Sequence, residues 1–486
     1  MSVASLSAHL RAQRTDPLLR SANSLMLNSA VTGALGVVYW VVAARIYGPQ
    51  DVGRDAALIA AMIECSVICQ LNMGNAITRF LPSLERGSRR ALLGAYAISA
   101  AAALLISLSF VVLAPVVSSQ FSFLRDGALA ALYVVAQVLW GWFVLEDAAL
   151  TAVRQAPWVP VENGVFGLLK LAALPMFHAW GVPHGVFLAW TLPIVVLLVP
   201  VNLFLFRTAI PRHVRSMRPG GSAVLRQFGR RGFVRFMAQD WGASVFAQAP
   251  STLLPVLVVA LLGSRANAYF YIPYTIVGGL NLLFFAVSTS LVVEGALAED
   301  RIRALARKIL RRFVFILGPG VVVLIAGAPL ILLPFGPGYV RESASALRIL
   351  ACGCVFYAAT VLYEAIARLH GHGSRILLVE VAKAVLLIGG VAVLPSVLGL
   401  DGVALAWLVS VAVVAAAILP SLLWFLRAPP ANVAAATPER AATQRPAIAS
   451  VMLNRIRLRH ARPRACVVVS GIRLRHARPE TSMVDE

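Results

Sequence analysis

The stretch RTAIPRHVRSMRPGGSAVLRQFGRRGFVR, residues 207–235, is the one long polar interruption in an otherwise apolar chain, and eight of its residues are arginine. A segment with this many guanidinium groups cannot lie in hydrocarbon, whereas apolar runs of about 20 residues can cross a bilayer as helices. Such runs lie on both sides of it. We therefore expect this loop to be the cytoplasmic connector between two similar helical bundles.

The composition points to a membrane protein. Of the 486 residues 59% are hydrophobic and 13% are charged, about half the charged fraction of a soluble globular domain. The net charge of +22 lies in alternate loops and in the tail, where positive residues set topology and contact anionic lipid head groups. We therefore predict a membrane with anionic lipids as partner, and no nucleic acid.

Apolar runs of spanning length predict an all-α polytopic protein with twelve transmembrane helices, because lipid offers the backbone no hydrogen-bond partners outside the helix itself. The runs cover residues 23–45, 53–76, 91–114, 127–146, 159–178, 185–206, 236–262, 268–293, 313–334, 345–367, 376–398 and 402–426.

The charge distribution predicts the orientation. With the N-terminus inside, the cytoplasmic segments carry 24 Arg and Lys residues and the opposite side carries 5, which predicts an N-in, C-in topology. The expected domains are a cytoplasmic segment 1–22, an N-terminal six-helix lobe 23–206, the connector 207–235, a C-terminal six-helix lobe 236–427 and a disordered basic cytoplasmic tail 428–486. That tail contains IRLRHARP twice.

Several classes of chemistry are not expected. The outer loops are too short to form a catalytic domain, and the chain has no Gly-x-x-x-x-Gly-Lys-Ser/Thr phosphate-binding motif. Cys65 and Cys69 are one helical turn apart but lack the neighbouring ligands of a metal site. We expect no enzymatic activity, no cofactor and no metal.

The two halves resemble each other where their second helices begin. Aligning Gly48 with Gly263 places Gly53 on Ala268, and in both halves a tight turn leads directly into a helix. Transporters commonly use such internal repeats to build two bundles that move about a central site.

Three segments resemble a known family. They are YGPQDVGRDAALIA at 47–60, LNMGNAITRFLPSL at 71–84 and LPFGPGYVRESASALRILACG at 333–353. They are similar to polysaccharide exporters of the multidrug/oligosaccharidyl-lipid/polysaccharide (MOP) superfamily, in particular to Wzx-type flippases of lipid-linked oligosaccharides. The resemblance implies a MATE-like fold of two six-helix lobes, a cationic cavity between them, and alternating access driven by an ion gradient or the membrane potential.

A flippase of this kind must replace the water around a phosphate or pyrophosphate with fixed positive charge. Charge inside a span costs about 2.5–3.5 kcal/mol on insertion scales, so each such residue is a site candidate. We predict substrate contacts from Lys170, Arg79, Arg235 and Lys383. The alternatives are a structural ion pair between Lys170 and Glu162, another between Lys383 and Glu380, and topological anchoring by the two arginines.

Acidic residues in the spans are candidates for ion or proton coupling. They are Glu64, Asp240 and Glu380. Glu64 has no basic neighbour within a helical turn and could bind or release a proton, or else hold helices together by a hydrogen bond. At the first outer turn Arg45, Asp51, Arg54 and Asp55 form either an external gate or a solvated cluster.

The predicted function is to move a polyprenyl-linked oligosaccharide across the bacterial plasma (inner) membrane for surface polysaccharide or lipopolysaccharide synthesis, with a polysaccharide polymerase or assembly proteins as partners. An expected excess of buried basic groups over isolated acidic groups favours this anionic cargo. Two alternatives remain: a cation-coupled multidrug exporter of the same superfamily, and a membrane scaffold that binds polyprenyl intermediates without moving them.

Overall fold

A computed structural model describes residues 17–84, 87–216, 241, 254–297, 302–370 and 372–427. Every regular element in these residues is helical. The α-helices are α1 Pro17–Ile46, α2 Pro49–Cys69, α3 Met73–Phe80, α4 Ser88–Val117, α5 Gly127–Ala152, α6 Val159–Ala179, α7 Gly185–Phe204, α8 Ile210–Ser216, α9 Leu254–Leu262, α10 Ser264–Leu297, α11 Ile302–Arg312, α12 Gly318–Ala326, α13 Ala328–Leu332, α14 Pro337–Leu369, α15 Gly373–Val393 and α16 Pro395–Arg427.

The described helices account for much of the predicted membrane region. Eight helical stretches are long and apolar enough to cross a bilayer, two of them formed by α7 with α8 and by α11 with α12, or nine if the bent pair α2 and α3 forms one span. A helix overlaps each of the twelve predicted runs, although the run 236–262 is described only at Trp241 and over its last nine residues, in α9. The all-helical, multi-pass class is therefore confirmed, while the count of twelve and the N-in, C-in orientation stay predictions.

Local sequence explains where several helices begin. Proline is favoured in the first turn because it has no N–H to leave unsatisfied and its φ is already helical. Pro49 and Pro337 begin α2 and α14 in this way, each preceded by a glycine. At α5 the Asp126 carboxylate accepts a hydrogen bond of 3.0 Å from the Ala128 N–H and caps the helix.

Helices within each half of the chain pack mainly on one another. In the first half α1 packs on α6, α4 on α5 and α6 on α7; in the second half α10 and α16 both pack on α14, and α15 packs on α16. The main contact between the halves is that of α2 with α10. Both helices begin one residue after the glycines aligned in the sequence, at Pro49 and Ser264.

We call the junction between the starts of α2 and α10, with the neighbouring chain ends, the seam. At its centre a Cβ atom on Gly53 would overlap the carbonyl oxygen of Ser264 and lie 2.7 Å from the backbone nitrogen of Ala268. Gly53 and Ala268 are the residues that the repeat alignment pairs. The side chain of Asn267 donates to the Gly53 carbonyl at 2.8 Å, and both groups are buried. The two backbones therefore touch with no side chain between them.

Further hydrogen bonds cross the seam around this centre. The Arg45 guanidinium donates to the carbonyls of Leu333, at 2.8 Å, and Pro334. The Ser118 hydroxyl donates to the Ala260 carbonyl at 2.9 Å. In the predicted topology all these groups lie at the outer face. Arg45 thus joins the halves, as the gate interpretation of the first outer turn requires.

The neighbouring Asp55 has a different role. It is fully buried, and its carboxylate accepts hydrogen bonds of 3.1 Å from the Phe187 N–H and from His184 Nδ1, while Arg54 lies 3.4 Å away. Phe187 is in the first turn of α7, so Asp55 ties α2 to the start of that helix. The expectation of a fully solvated cluster is therefore wrong for Asp55.

Substituting Gly53 tests the seam. Gly53→Ala requires the α2 and α10 backbones to separate, and overpacking of this kind costs about 1–3 kcal/mol. We expect the apparent midpoint of thermal unfolding of the purified protein to fall by several degrees. The control is Gly48→Ala, where a Cβ would meet its nearest atom at 3.7 Å. Equal midpoints for the two variants would contradict the close contact.

Candidate functional site

Lys170 lies inside the first half, among aromatic rings. Its Nζ is 3.6 Å from the ring centroid of Trp190, 4.9 Å from that of Phe166 and 5.1 Å from that of Tyr39, and the residue is 5% exposed. These rings come from α7, α6 and α1, so the packing of three helices forms an aromatic cage around the Lys170 ammonium group. Ring faces attract a cation electrostatically. This arrangement is compatible with a structural role of Lys170 and with contact between Lys170 and an anionic ligand.

The ion pair considered for Lys170 does not form. Glu162 makes no ion pair with it, and neither carboxylate oxygen of Glu162 has a hydrogen-bond partner in the described part of the chain. The cation is therefore stabilised by aromatic rings rather than by an acid. Contact between Lys170 and an anionic head group stays a prediction.

Lys383 belongs to a network of four charged residues in the second half. Its Nζ lies 2.9 Å from Glu380, on the same helix α15, and 3.2 Å from Glu364 on α14. Arg368 lies 3.4 Å from Glu364. Tertiary packing thus joins two pairs that the sequence suggests separately. The two acids neutralise the two bases. The structural ion pair between Lys383 and Glu380, which was the alternative to a transport role, is therefore present, and the transport roles of these residues stay predictions.

Glu64 lies on α2 and is 1% exposed. Neither of its carboxylate oxygens has a hydrogen-bond partner among the described residues. An uncompensated carboxyl group at this depth is costly, which makes it a candidate for binding a proton or a cation. The alternative of a hydrogen bond from Glu64 to another helix does not occur in the described residues.

The second predicted span, residues 53–76, is broken rather than continuous. After α2 ends at Cys69 the chain bends by 53° before α3 begins at Met73. Leu71 and Asn72 adopt left-handed conformations with φ of 47° and 62°. Asparagine tolerates this region better than most residues, whereas leucine there is strained. Discontinuous helices in transporters expose backbone groups to substrates and ions, so this break is a further candidate site.

Polar side chains and one long-range contact hold the break. Gln70 donates to the Ser66 hydroxyl at 2.8 Å, and Asn75 donates to the Asn72 side chain at 2.8 Å. From the second half, the Trp241 indole N–H donates to the Ile68 carbonyl at 3.0 Å. The break was not expected from hydropathy, although three amides at Gln70, Asn72 and Asn75 in an apolar run were a signal of it.

The remaining predicted site residues are only partly placed. Arg79 lies in the last turn of α3, with its guanidinium 5.7 Å from the ring centroid of Phe80. It therefore follows the break by two helical turns. Arg235 and Asp240 lie outside the described residues.

A pair of buried acids was missed by the sequence reasoning. Glu146 on α5 is fully buried and Glu162 on α6 is 5% exposed. The two carboxyl groups lie close enough for one, when protonated, to donate to the other, and no other donor in the described part of the chain reaches their oxygens. The adjacent Asp147 accepts a hydrogen bond of 3.0 Å from Asn163. The signal was an acidic pair, Glu146-Asp147, closing an otherwise apolar run.

Buried charge in the described residues is mostly acidic. The buried acids are Asp55, Glu64, Glu146, Glu162 and Glu364, against Lys170 as the buried base. This is opposite to the expected excess of buried basic groups. The argument for an anionic cargo from buried charge is therefore not supported in this part of the chain.

Comparison with known proteins identifies the fold. No family model matches the sequence, and no curated protein matches it. An inward-facing multidrug resistance MATE family transporter of the MOP superfamily matches with a TM-score of 0.59 at 16% identity, over 83% of this chain and 97% of that one. The lipid II flippase MurJ, in an inward closed conformation, matches with a TM-score of 0.59 at 16% identity, over 82% of this chain and 87% of that one.

An outward-facing MATE family transporter matches with a TM-score of 0.55 at 15% identity, over 85% of this chain and 96% of that one. The chain therefore has the helical fold of these MATE transporters and of MurJ. The finer resemblance to Wzx-type flippases stays a prediction.

The charged network around Lys383 can be tested by removing its centre. Lys383→Met leaves Glu380 without its cation and Glu364 with Arg368 alone, and breaking a buried pair from one side costs about 3–5 kcal/mol. We expect a clear drop in the thermal unfolding midpoint and partial recovery in Lys383→Met/Glu380→Gln.

Arg341→Met provides the control, because its ion pair with Glu342 is exposed and exposed pairs contribute little. A Lys383→Met midpoint as high as that of Arg341→Met would show that the network has no structural role.

Proposed function

We propose that this protein moves a lipid-linked oligosaccharide, carried on polyprenyl phosphate or pyrophosphate, across the bacterial plasma membrane for surface polysaccharide synthesis. It does so by alternating access, in which the two halves close in turn at opposite faces of the membrane. The observation that carries the proposal is the seam, where equivalent helices of the two halves meet.

The seam has the properties of a reversible gate. Among the described residues four hydrogen bonds cross it, from Asn267, Arg45 and Ser118, and all are accepted by backbone carbonyls. Each contributes about 0.5–1.5 kcal/mol net, because water replaces the partner when the contact opens. Their sum is within the range that differential binding of a ligand can supply.

The direction of closure follows from the predicted topology. There the seam lies at the outer face, so this conformation is closed to the outside. The likeness to solved structures agrees with that direction, since the inward-facing MATE transporter matches with a TM-score of 0.59 and the outward-facing one with 0.55. The cargo would therefore be loaded from the cytoplasmic side.

The proposed cargo rests on basic and aromatic groups. Arg79 follows the break in the second span, and Lys170 stands on the faces of Trp190 and Phe166. A lysine held by rings has no carboxylate that competes with a phosphate for its N–H donors. Aromatic rings also pack well against the apolar faces of sugars and prenyl chains.

A cation-coupled multidrug exporter is the second candidate, and a specific observation favours it. Glu64, Glu146 and Glu162 are buried with carboxylate oxygens that have no partner in the described residues. Such groups could attract a cationic drug, although they could also bind the coupling ion of a flippase.

Locking the seam tests alternating access. In Ser118→Cys/Ala260→Cys the two thiols lie on residues that are in contact, because the Ser118 hydroxyl now donates to the Ala260 backbone carbonyl, so oxidation can link the halves. In vesicles that contain a polyprenyl pyrophosphate-linked oligosaccharide, oxidation should stop the glycan from crossing, and a reductant should restore it. Each single cysteine variant is the control. Undiminished transport after confirmed cross-linking would refute the gate.

Substitution of Lys170 tests the cargo. Lys170→Met keeps an apolar side chain in the aromatic cage but removes the charge. Losing one charge-assisted hydrogen bond to phosphate should slow glycan translocation about tenfold or more. The control is Lys308→Met, the same change at an exposed position of α11.

Three other outcomes are informative. Full activity of Lys170→Met would remove the leading site residue and leave the fold unaffected. Export of cationic dyes without glycan transport would establish the multidrug alternative. Binding of the lipid-linked glycan without translocation would establish a scaffold.

A further inference from the structure

A groove on the first half combines two arginines with an apolar floor. Its cavity volume is about 570 Å³, and its lining residues are Arg89, Leu93, Val199, Asn202, Leu203, Phe206 and Arg207. All of them come from α4, from α7 or from the π-helical segment Leu205–Ala209 that extends α7. No described residue of the second half lines it, so the groove is separate from the seam.

The two helices arrange these side chains in matching order. Arg89 and Leu93 are four residues apart on α4, and Val199, Leu203 and Arg207 repeat at the same spacing along α7 and its extension, which places each set on one helix face. Both arginines therefore lie at one end of the groove and the aliphatic side chains follow toward the membrane interior. In the predicted topology the arginine end is cytoplasmic.

The aliphatic part of the groove is open to lipid. Leu93 is 45% exposed, Val199 68% and Leu203 48%. In water such an exposed row would be unusual, but beside hydrocarbon it is a surface on which an acyl chain can lie. The groove thus has a charged end and an apolar length, as a phospholipid has.

The arginines are held in place without being neutralised. The Arg89 guanidinium lies 5.9 Å from the ring centroid of Phe206, a contact that orients the cation and leaves its N–H groups free. Neither Arg89 nor Arg207 forms an ion pair with an acid in the described residues. Guanidinium groups bind phosphate through two parallel hydrogen bonds, so a phosphate between Arg89 and Arg207 would accept hydrogen bonds from both guanidinium groups.

The backbone near Arg207 is also distinctive. Residues Leu205–Ala209 form a π-helical turn, and such turns are rare and frequent at functional sites. The wider turn changes the direction of the residues it contains, among them Phe206 and Arg207. Behind it Asn202 is already satisfied, since it accepts a hydrogen bond of 3.1 Å from Tyr96 and donates one of 3.0 Å to the Leu198 carbonyl. The Asn202 side chain therefore needs no ligand to complete these hydrogen bonds.

We propose that this groove binds an anionic glycerophospholipid of the adjacent leaflet, with its phosphate between Arg89 and Arg207 and one acyl chain along Leu93, Val199 and Leu203. Basic pockets between transmembrane helices on the cytoplasmic side are typical head-group sites. A bulk phospholipid is favoured over the transported lipid because the groove lies within one half, away from the helices that join the two. The bound lipid would tie α4 to α7 and does not depend on the identity of the cargo.

Lipid titration of the purified full-length protein tests this site, with binding counted by native mass spectrometry. We expect dioleoyl-phosphatidylglycerol to bind at least about tenfold more tightly than dioleoyl-phosphatidylcholine, and Arg89→Gln/Arg207→Gln to remove most of that preference. The matched control is Arg90→Gln/Arg212→Gln, which removes the same charge from exposed arginines outside the groove. Equal losses in both double variants would mean diffuse attraction to a basic surface and would overturn the proposal.

A second variant separates the groove from charge alone. Val199→Trp fills the apolar length at an exposed position, where folding should be unaffected, and leaves both arginines in place. We expect it to weaken phosphatidylglycerol binding about tenfold as well. Unchanged binding in this variant would overturn the proposal, as would displacement of the phosphatidylglycerol by stoichiometric polyprenyl phosphate, which would make the groove a cargo site. Neither result depends on whether the protein transports glycans.

Discussion

The direct contact of two backbones at Gly53 is the constraint on which the arrangement of the halves depends. Since a Cβ there would overlap the Ser264 carbonyl, α2 and α10 can approach only because position 53 has no side chain. The buried hydrogen bond from Asn267 to the Gly53 carbonyl then sets their register. The contact therefore fixes how closely the two halves approach at this end of the helices.

Burial of charge poses a second problem, and the described residues solve it in two ways. Lys170 stands on the faces of aromatic rings, and Lys383 lies between two carboxylates. Glu64, Glu146 and Glu162 have neither solution. Because a buried carboxylate without a cation is costly, these three acids are candidates for binding a proton or a cation. We interpret the first two arrangements as stabilising the bundles, and the proposal of ion or proton coupling rests on the third group.

The seam and the lipid groove lie on different surfaces and have different proposed roles. The seam joins the halves and would change during transport, whereas the groove lies within the first half and would keep its shape. A fold of this kind is compatible with several cargoes, since it occurs in both a multidrug transporter and a lipid II flippase. In the proposed function, cargo selection would therefore come from side chains such as Lys170 and Glu64 rather than from the path of the helices.

The sequence by itself determined which segments are helical and where many of them begin. Hydrocarbon forces each spanning segment to be about 20 residues long and to satisfy its own backbone, and these requirements are local. The matching turns before α2 and α10 were readable for the same reason, whereas the predicted runs began at 53 and 345 rather than at Pro49 and Pro337.

Only the tertiary structure decided which faces meet. Lys170 and Tyr39 are far apart in sequence, as are Glu364 and Lys383, so neither the aromatic cage nor the joined ion pairs could be read from local spacing. At the break of Leu71 and Asn72, Trp241 from the other half donates a hydrogen bond to the preceding turn. Such features depend on how helices rotate against one another, and that rotation is set by contacts between distant residues.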